Sequence, residues 1–325
     1  MPIKPLLNPF STPPGGLPLG RRLLLLLLLL PFFLLPAQPG GAGAAAPLYA
    51  AAHAANSPAS ETRPLVLRLS GCSVSRTGYL EQLSAAFTQR TGIRVLLKGG
   101  GSMTGLLTLD AEASDLAASC LPPSADHVPA SVRLVPVAGD ALVFVTHRDN
   151  PVGDIGLEQV REIFLGQIDN WRQLGGPDRP LAVYLQYSRH GARGSGFDNH
   201  GIPFTLQQQV LDGRPIAVAP QVFFPRPSGG LVEESVARDP DGFTVSGFTS
   251  ARIRPGLKML AIDGIAASKE NISSGAYPTQ LHRHLYLGLA DDAAPAARRF
   301  LAFALSPEGQ QLISGLGAIA LHELP

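Results

Sequence analysis

Charge is scarce in this chain. Asp, Glu, Lys and Arg make up only 16% of its 325 residues, the formal net charge is +1, and no long block of one sign occurs. A nucleic-acid binder needs a basic face, so no nucleic-acid partner is expected. The familiar catalytic signatures are also missing. There is no G-x-S-x-G elbow, no Walker loop and no H-E-x-x-H, and the Ser, His and Asp residues fall into no recognisable triad. The expectation is a protein that is not an enzyme. Cysteine is limited to Cys72 and Cys120, with no Cys-x-x-Cys. That rules against a zinc site and a thiol oxidoreductase motif, so neither a metal nor any other cofactor is expected. Internal repeats are absent as well.

What the chain has is apolar surface. At 45% hydrophobic residues it has enough for a core and length enough for two domains. Arg21 and Arg22 precede an apolar run, Leu23–Leu35, broken only by Pro31, and Ala42-Gly-Ala44 follows as an A-x-A cleavage site. This order of basic, apolar and small residues reads as a secretory signal over 1–44. About 13 apolar residues are too few for a bilayer, which needs ~20. Removing 1–44 takes Lys4, Arg21 and Arg22 and no acidic residue, so the net charge falls to −2. Residues 45–64 are Ala-rich and aperiodic and read as a flexible lead-in. The expected location is periplasmic or secreted. Leu69-Ser-Gly-Cys72 mimics a lipoprotein acylation box, but it lies inside an expected strand, far beyond the apolar run.

The rest alternates strands and helices. Leu65–Leu69 alternates apolar and polar residues, as a strand does. Tyr79, Leu80, Leu83, Ala86 and Phe87 then repeat at helical spacing over about 78–90, and Thr91-Gly92 ends the helix. Ile93–Lys98 is a second strand. Gly99-Gly-Gly-Ser-Met-Thr-Gly105 leads into a second helix, and Asp115–Cys120 is a third strand. This βαβαβ unit implies a parallel sheet with right-handed crossovers. Arg133–His147 is a strand long enough to cross between two domains. Helices are expected at 157–165, 204–211, 229–238, 293–305 and 307–315, and strands at 181–186, 243–248, 258–262 and 284–289. Residues 187–197 and 263–278 read as loop or surface segments, and His282-x-His284 leads into a core strand.

In an open sheet of this kind, ligands sit beyond the carboxyl ends of the strands. Cys72–Thr77, Gly100–Thr104 and Ser119–Cys120 all fall there. The unpaired N–H groups and the dipole of a helix start favour an anion. Ser73, Ser75, Thr77 and Arg76 add donors beside the first helix. Serine is also a favoured helix cap, so Ser102 has a purely structural reading too.

These pieces together resemble a known family. Gly71-x-Ser-x-Ser75, Gly99-Gly-Gly-Ser-x-x-Gly105 and Asp115-Leu-Ala-Ala-Ser119 are similar to the first half of the phosphate-binding receptors of ABC importers. Pro136–Val145, Leu157–Gly166 with Ile168-Asp-Asn-Trp171, Asn271–Pro278 and Leu305–Gln310 resemble the family's later signatures. The match covers roughly 65–322. The resemblance implies an α/β, two-lobe type II periplasmic binding fold, with each lobe a mixed sheet flanked by helices and the two joined by crossover strands. Lobe one would be 65–145 plus 260–325, and lobe two 146–259.

The implied function is capture of an inorganic oxyanion, phosphate first, by a monomeric receptor that hands it to an ABC permease in the inner membrane. Other readings are a non-transport sensor, a secreted structural protein, or a phosphatase-like enzyme on the same fold. The resemblance places Ser102 at a phosphate-binding serine, Ser75 near the first-loop threonine with Arg76 beside it, and Ser73 in the same loop. Cys120 falls where phosphate-specific members carry an aspartate that accepts the ligand's proton. The second-lobe pattern R-x-x-x-S-G-T is replaced by Gln186-Tyr-Ser-Arg-His-Gly-Ala-Arg193, which leaves Arg189 or Arg193 as the cation. Cys72 and Cys120 end neighbouring strands in a 2-1-3 order. Parallel neighbours lie ~4.8 Å apart, which fits a disulfide at the floor of the cleft; two buried free thiols are the alternative.

Overall fold

A single long strand organises the molecule. The computed structural model describes residues 65–124, 128–191, 194–196 and 200–325, with backbone alone at 188–191 and 194–196. The signal and lead-in assignments over 1–64 and the side chains of Arg189 and Arg193 lie outside the described residues. Strand β4, Val132–His147, runs for sixteen residues and is almost wholly buried from Val137 to Thr146. Its Val132–Ala141 half pairs antiparallel with His282–Ala290. Its Leu142–Thr146 half pairs antiparallel with Gly242–Gly247, and Leu257–Met259 joins the same end. A continuous apolar sequence suits this position, because both faces of the strand are covered.

On the first side of β4, the strands are β1 (Val66–Gly71), β2 (Arg94–Gly99) and β3 (Leu116–Ser119). They stand in the order β2-β1-β3, all parallel, and β3 pairs with His282–Ala290. This is the βαβαβ unit read from the sequence. On the second side, Gly242–Gly247 lies parallel to Ala182–Gln186, which lies parallel to the edge strand Phe223–Arg226. Each half is a mixed sheet with helices packed on it, which is the type II periplasmic binding fold.

The two largest of four apolar clusters among the described residues fill the halves. Phe87, edge-on to Phe300, centres one, and Trp171 against Phe243 centres the other. Trp171 is fully buried and its indole N–H donates to the Asp241 carbonyl at 2.9 Å, so the ring carries no unpaired donor into the core. Where the halves meet, Asp140 of β4 accepts from Arg283 Nε (2.9 Å) and Nη2 (2.5 Å). Its other oxygen accepts the Thr249 N–H at 2.9 Å. Residues Thr62–Pro325 form one compact unit. Among the described residues, no helix is long and apolar enough to cross a membrane.

The first helix departs from the expected 78–90. It starts at Ser73, as the short α1 (Ser73–Ser75), widens through a π turn at Arg76–Leu80, and continues as α2 (Glu81–Thr91). Gly78 lies inside it because the helix presses on Thr249. A Cβ at Gly78 would meet Thr249 Cγ2 at 2.2 Å. Helix α3 is Ser102–Asp110, α4 is Leu157–Phe164, α5 is Gly201–Gln209 and α6 is Gly229–Val236. Residues 263–278, expected as a surface segment, contain a short helix, Lys269–Ser273, capped by Ser268.

Candidate functional site

The carboxyl ends of β1 and β3 deliver Cys72 and Cys120 to one point, and the turn after β2 delivers Ser102 to the same place. Gly71 makes this approach possible. Its φ is +134°, and a Cβ there would lie 2.1 Å from the Ala118 carbonyl oxygen. From the other half come Gln186, at the end of its strand, Ser246, near the end of Gly242–Gly247, and the starts of α5 and α6. Together these residues line one recessed cavity with a free interior of about 30 Å³, room for one or two water-sized groups.

Four helix starts border the cavity, at Ser73, Ser102, Gly201 and Gly229. Each brings first-turn N–H groups without intrahelical partners and the positive end of its dipole. The helices are set close. A Cβ on Gly201 would fall 2.5 Å from Cys120 Sγ and 3.1 Å from Ser102 Oγ, and one on Gly229 would fall 3.1 Å from Ser73 Oγ. Both glycines thus let α5 and α6 bring their first turns against the loops of the opposite half.

Ser102 does not cap its own helix, since the cap position is Gly101 and no side chain closes it. Its hydroxyl accepts the Cys120 N–H at 3.0 Å and stands 3.3 Å from Cys120 Sγ. Ser73 lines the cavity and is partly exposed. Ser75 is fully buried with its hydroxyl unpaired, and it does not line the cavity. Arg76 is also absent from the lining. It is exposed and held by Glu81 at 3.0 Å, because the widened helix turn carries it outward.

Glu233 on α6 is the acidic member of the site, and the sequence reading passed over it. It is 3% exposed. Its Oε1 accepts from Ser246 Oγ (2.6 Å) and Ser250 Oγ (2.7 Å), and its Oε2 accepts from Arg254 Nε (2.9 Å). Of the described residues lining the cavity, it alone bears a formal charge. In sequence it looks like any glutamate on a helix. The hint available was the turn Pro227-Ser-Gly-Gly230, whose serine caps the helix by accepting the Leu231 N–H.

The two sulfurs are 3.0 Å apart, whereas a disulfide bond is about 2.05 Å long. The structure holds two buried thiols, not the disulfide read from the sequence. Cys72 donates to Cys120. That bond, the Arg283 charge and the Ser102 hydroxyl outweigh burial and pull the Cys120 thiol down. The same bond and burial push Cys72 up. His200, just ahead of α5, is pushed down to about 4 by burial. Among the described residues, no group of three or more His, Cys, Asp or Glu is arranged to hold a metal.

Comparisons place this geometry among known proteins. The domain described as the PBP superfamily domain matches residues 52–217. The phosphate-binding protein PstS of Bacillus subtilis is 24% identical over 249 residues, covering 76% of this chain and 77% of its own length. PstS of Borreliella burgdorferi is 24% identical over 231 residues, covering 70% and 80%. Among solved structures, a phosphate ABC transporter substrate-binding protein of Clostridium perfringens, crystallised with phosphate, has a TM-score of 0.66 at 21% identity, covering 79% of this chain and 99% of that one. An ABC-type phosphate transport receptor from Vibrio cholerae gives 0.57 at 23%, covering 78% and 99%. At such identities the structural likeness speaks for the fold.

Proposed function

Because the chain belongs to the PBP superfamily, we propose that it is an exported receptor whose cavity captures a partly protonated oxyanion, phosphate first, for an ABC importer. The observation that carries this reading is the convergence of four helix starts on one cavity. Their N–H groups and dipoles can hold an anion without a lysine or arginine in the lining. Ser73 and Ser102 add hydroxyls that can donate to ligand oxygens, and Gln186 adds an amide. Arg193, from its place in the sequence alone, is the candidate cation. The curated relatives named as phosphate-binding proteins support the same ligand.

Glu233 favours a ligand that carries a proton. A buried carboxylate repels an oxygen that has only lone pairs to offer, and it accepts from one that bears hydrogen. Phosphate keeps a proton at neutral pH, while sulfate and molybdate do not. The proton acceptor that the resemblance places at Cys120 is then supplied by Glu233 from the opposite wall. The lobes we assign are 65–145 with 260–325, and 146–259. They part around β4 for ligand entry and close with α5 and α6 against Cys120 and Ser73. The released form would act as a monomer beside an inner-membrane permease.

Calorimetry with phosphate, arsenate, sulfate and molybdate tests the reading. The two anions that retain a proton should bind at one per chain, and the other two should not. Absence of binding by all four at millimolar concentration would exclude the receptor function.

A further inference from the structure

Two thiols are an unusual feature of an anion cavity, and neither hydrogen bonding of a phosphate nor packing requires both. Cys72 and Cys120 line the cavity from adjacent strand ends with their sulfurs 3.0 Å apart, and Ser102 Oγ stands 3.3 Å from Cys120. We propose that this reduced pair is a covalent capture site for a trivalent thiophilic hydroxide of the arsenic or antimony class. The proposal rests on the cavity being the ligand site of the receptor.

The spacing of the sulfurs selects the kind of centre. Structural zinc takes four ligands, and among the described residues no third His, Cys, Asp or Glu joins the pair. An ion held linearly between two thiolates needs sulfurs about 4.6 Å apart, twice a bond of about 2.3 Å. Two such bonds meeting near a right angle span only about 3.2 Å, which matches this pair and suits a pyramidal, three-coordinate centre. Soft thiolates favour soft acceptors of this kind.

The surroundings fit a neutral trihydroxide. Arsenite is As(OH)3 at neutral pH and brings O–H donors to a cavity whose charged lining residue is Glu233. On capture, two As–O bonds break and two As–S bonds form. Each thiol proton leaves with one hydroxide as water, the third hydroxyl stays on arsenic, and arsenic remains trivalent. No oxidant or reductant takes part. The hydrogen bond from Cys72 and the Arg283 charge favour the Cys120 thiolate, the attacking form. Both thiols are buried, so the halves must part for entry, as for any ligand here.

The test uses the full mature chain, isolated without reductant. Its thiols are counted by alkylation after denaturation, with and without equimolar sodium arsenite, and phosphate is titrated in parallel. The expected result is two thiols, both protected by arsenite, with a mass gain of one arsenic and one hydroxyl less two hydrogens. Arsenic X-ray absorption should report two sulfur neighbours and one oxygen. Saturating phosphate should slow protection, because the cavity is shared. Cys72→Ser and Cys120→Ser, with melting curves to confirm folding, should each weaken capture at least about 100-fold, the chelate advantage of a second tethered ligand. Alkylation of both thiols despite arsenite overturns the proposal, as does a disulfide in the isolated protein. Phosphate binding without arsenite protection overturns capture alone and leaves the receptor reading standing. Arsenite protection without phosphate binding overturns phosphate as the ligand and leaves capture standing.

Discussion

Glu233 shows how a single side chain sets the chemistry of the cavity. Its two oxygens take three donors, from Ser246, Ser250 and Arg254. The carboxylate is thereby fixed in place, and it disfavours a fully deprotonated dianion. Glu233→Gln replaces an acceptor by an amide that also donates. Phosphate affinity should fall about 10- to 100-fold, the loss of one hydrogen bond to a charged group, while sulfate binding should appear. Competitive titration of the two anions, with a thermal melt to confirm folding, reads both effects. His200 gives a second prediction. Its folded pKa is lowered to about 4 by burial, from an ordinary value of 6.5. The neutral form is therefore favoured by folding, and the stability it contributes is present above about pH 6.5 and is lost as pH falls towards 4. Between pH 7 and 4.5 that loss amounts to about 2 kcal/mol. His200→Asn should remove that share of the pH dependence in urea unfolding. An unchanged pH profile would mean that the ring is not buried neutral.

At the scale of elements, function rests on how closely helix starts approach the opposite loops. Gly201 is the tighter of the two helix-start glycines, with Cys120 Sγ 2.5 Å from where a Cβ would stand. Gly201→Ala should hold α5 off the cavity floor. Phosphate affinity should drop at least about tenfold with little change in unfolding midpoint, since the clash arises between the halves and not inside either core. An unaltered affinity would mean that α5 does not take part in closure. The same scale shows where the sequence was readable. β1, β2 and β3 were legible because aliphatic alternation and glycine stops are local signals, and their shared edge followed from the parallel unit. The start of the first helix at Ser73 was not, because Gly78 reads locally as a boundary and only the contact with Thr249 explains it. The edge strand Phe223–Arg226 was missed because Pro225 argues against a strand, and its pairing on one side only is a tertiary fact. Glu233 escaped for a similar reason. A glutamate on a helix reads as a solvated face until Ser246, Ser250 and Arg254 are brought around it. Arg76 was readable as a residue of the first loop, but its ion pair with Glu81 was not, because the widened turn that directs it there is a tertiary fact.

For the molecule as a whole, β4 is the shared spine, and the Asp140–Arg283 pair sits where its two halves meet. The pair is buried, with side-chain exposures of 0% and 4%. Removing one partner strands the other charge in a dry environment. Asp140→Ala should cost about 3–5 kcal/mol in urea unfolding, far more than truncating an exposed pair such as Arg172 with Asp178. A cost under about 1 kcal/mol would show that water reaches the junction. In the proposed receptor this spine would let the two separately packed clusters move as bodies while the cavity opens and closes. In the proposed receptor this cavity takes one protonated oxyanion. The most direct measurement is a phosphate titration of the protein beside its Gly201→Leu variant, in which the new side chain fills the cavity. One phosphate per chain is expected for the native protein and none for the variant, with both folded. Equal binding by the two would place the ligand elsewhere and exclude this cavity as the site.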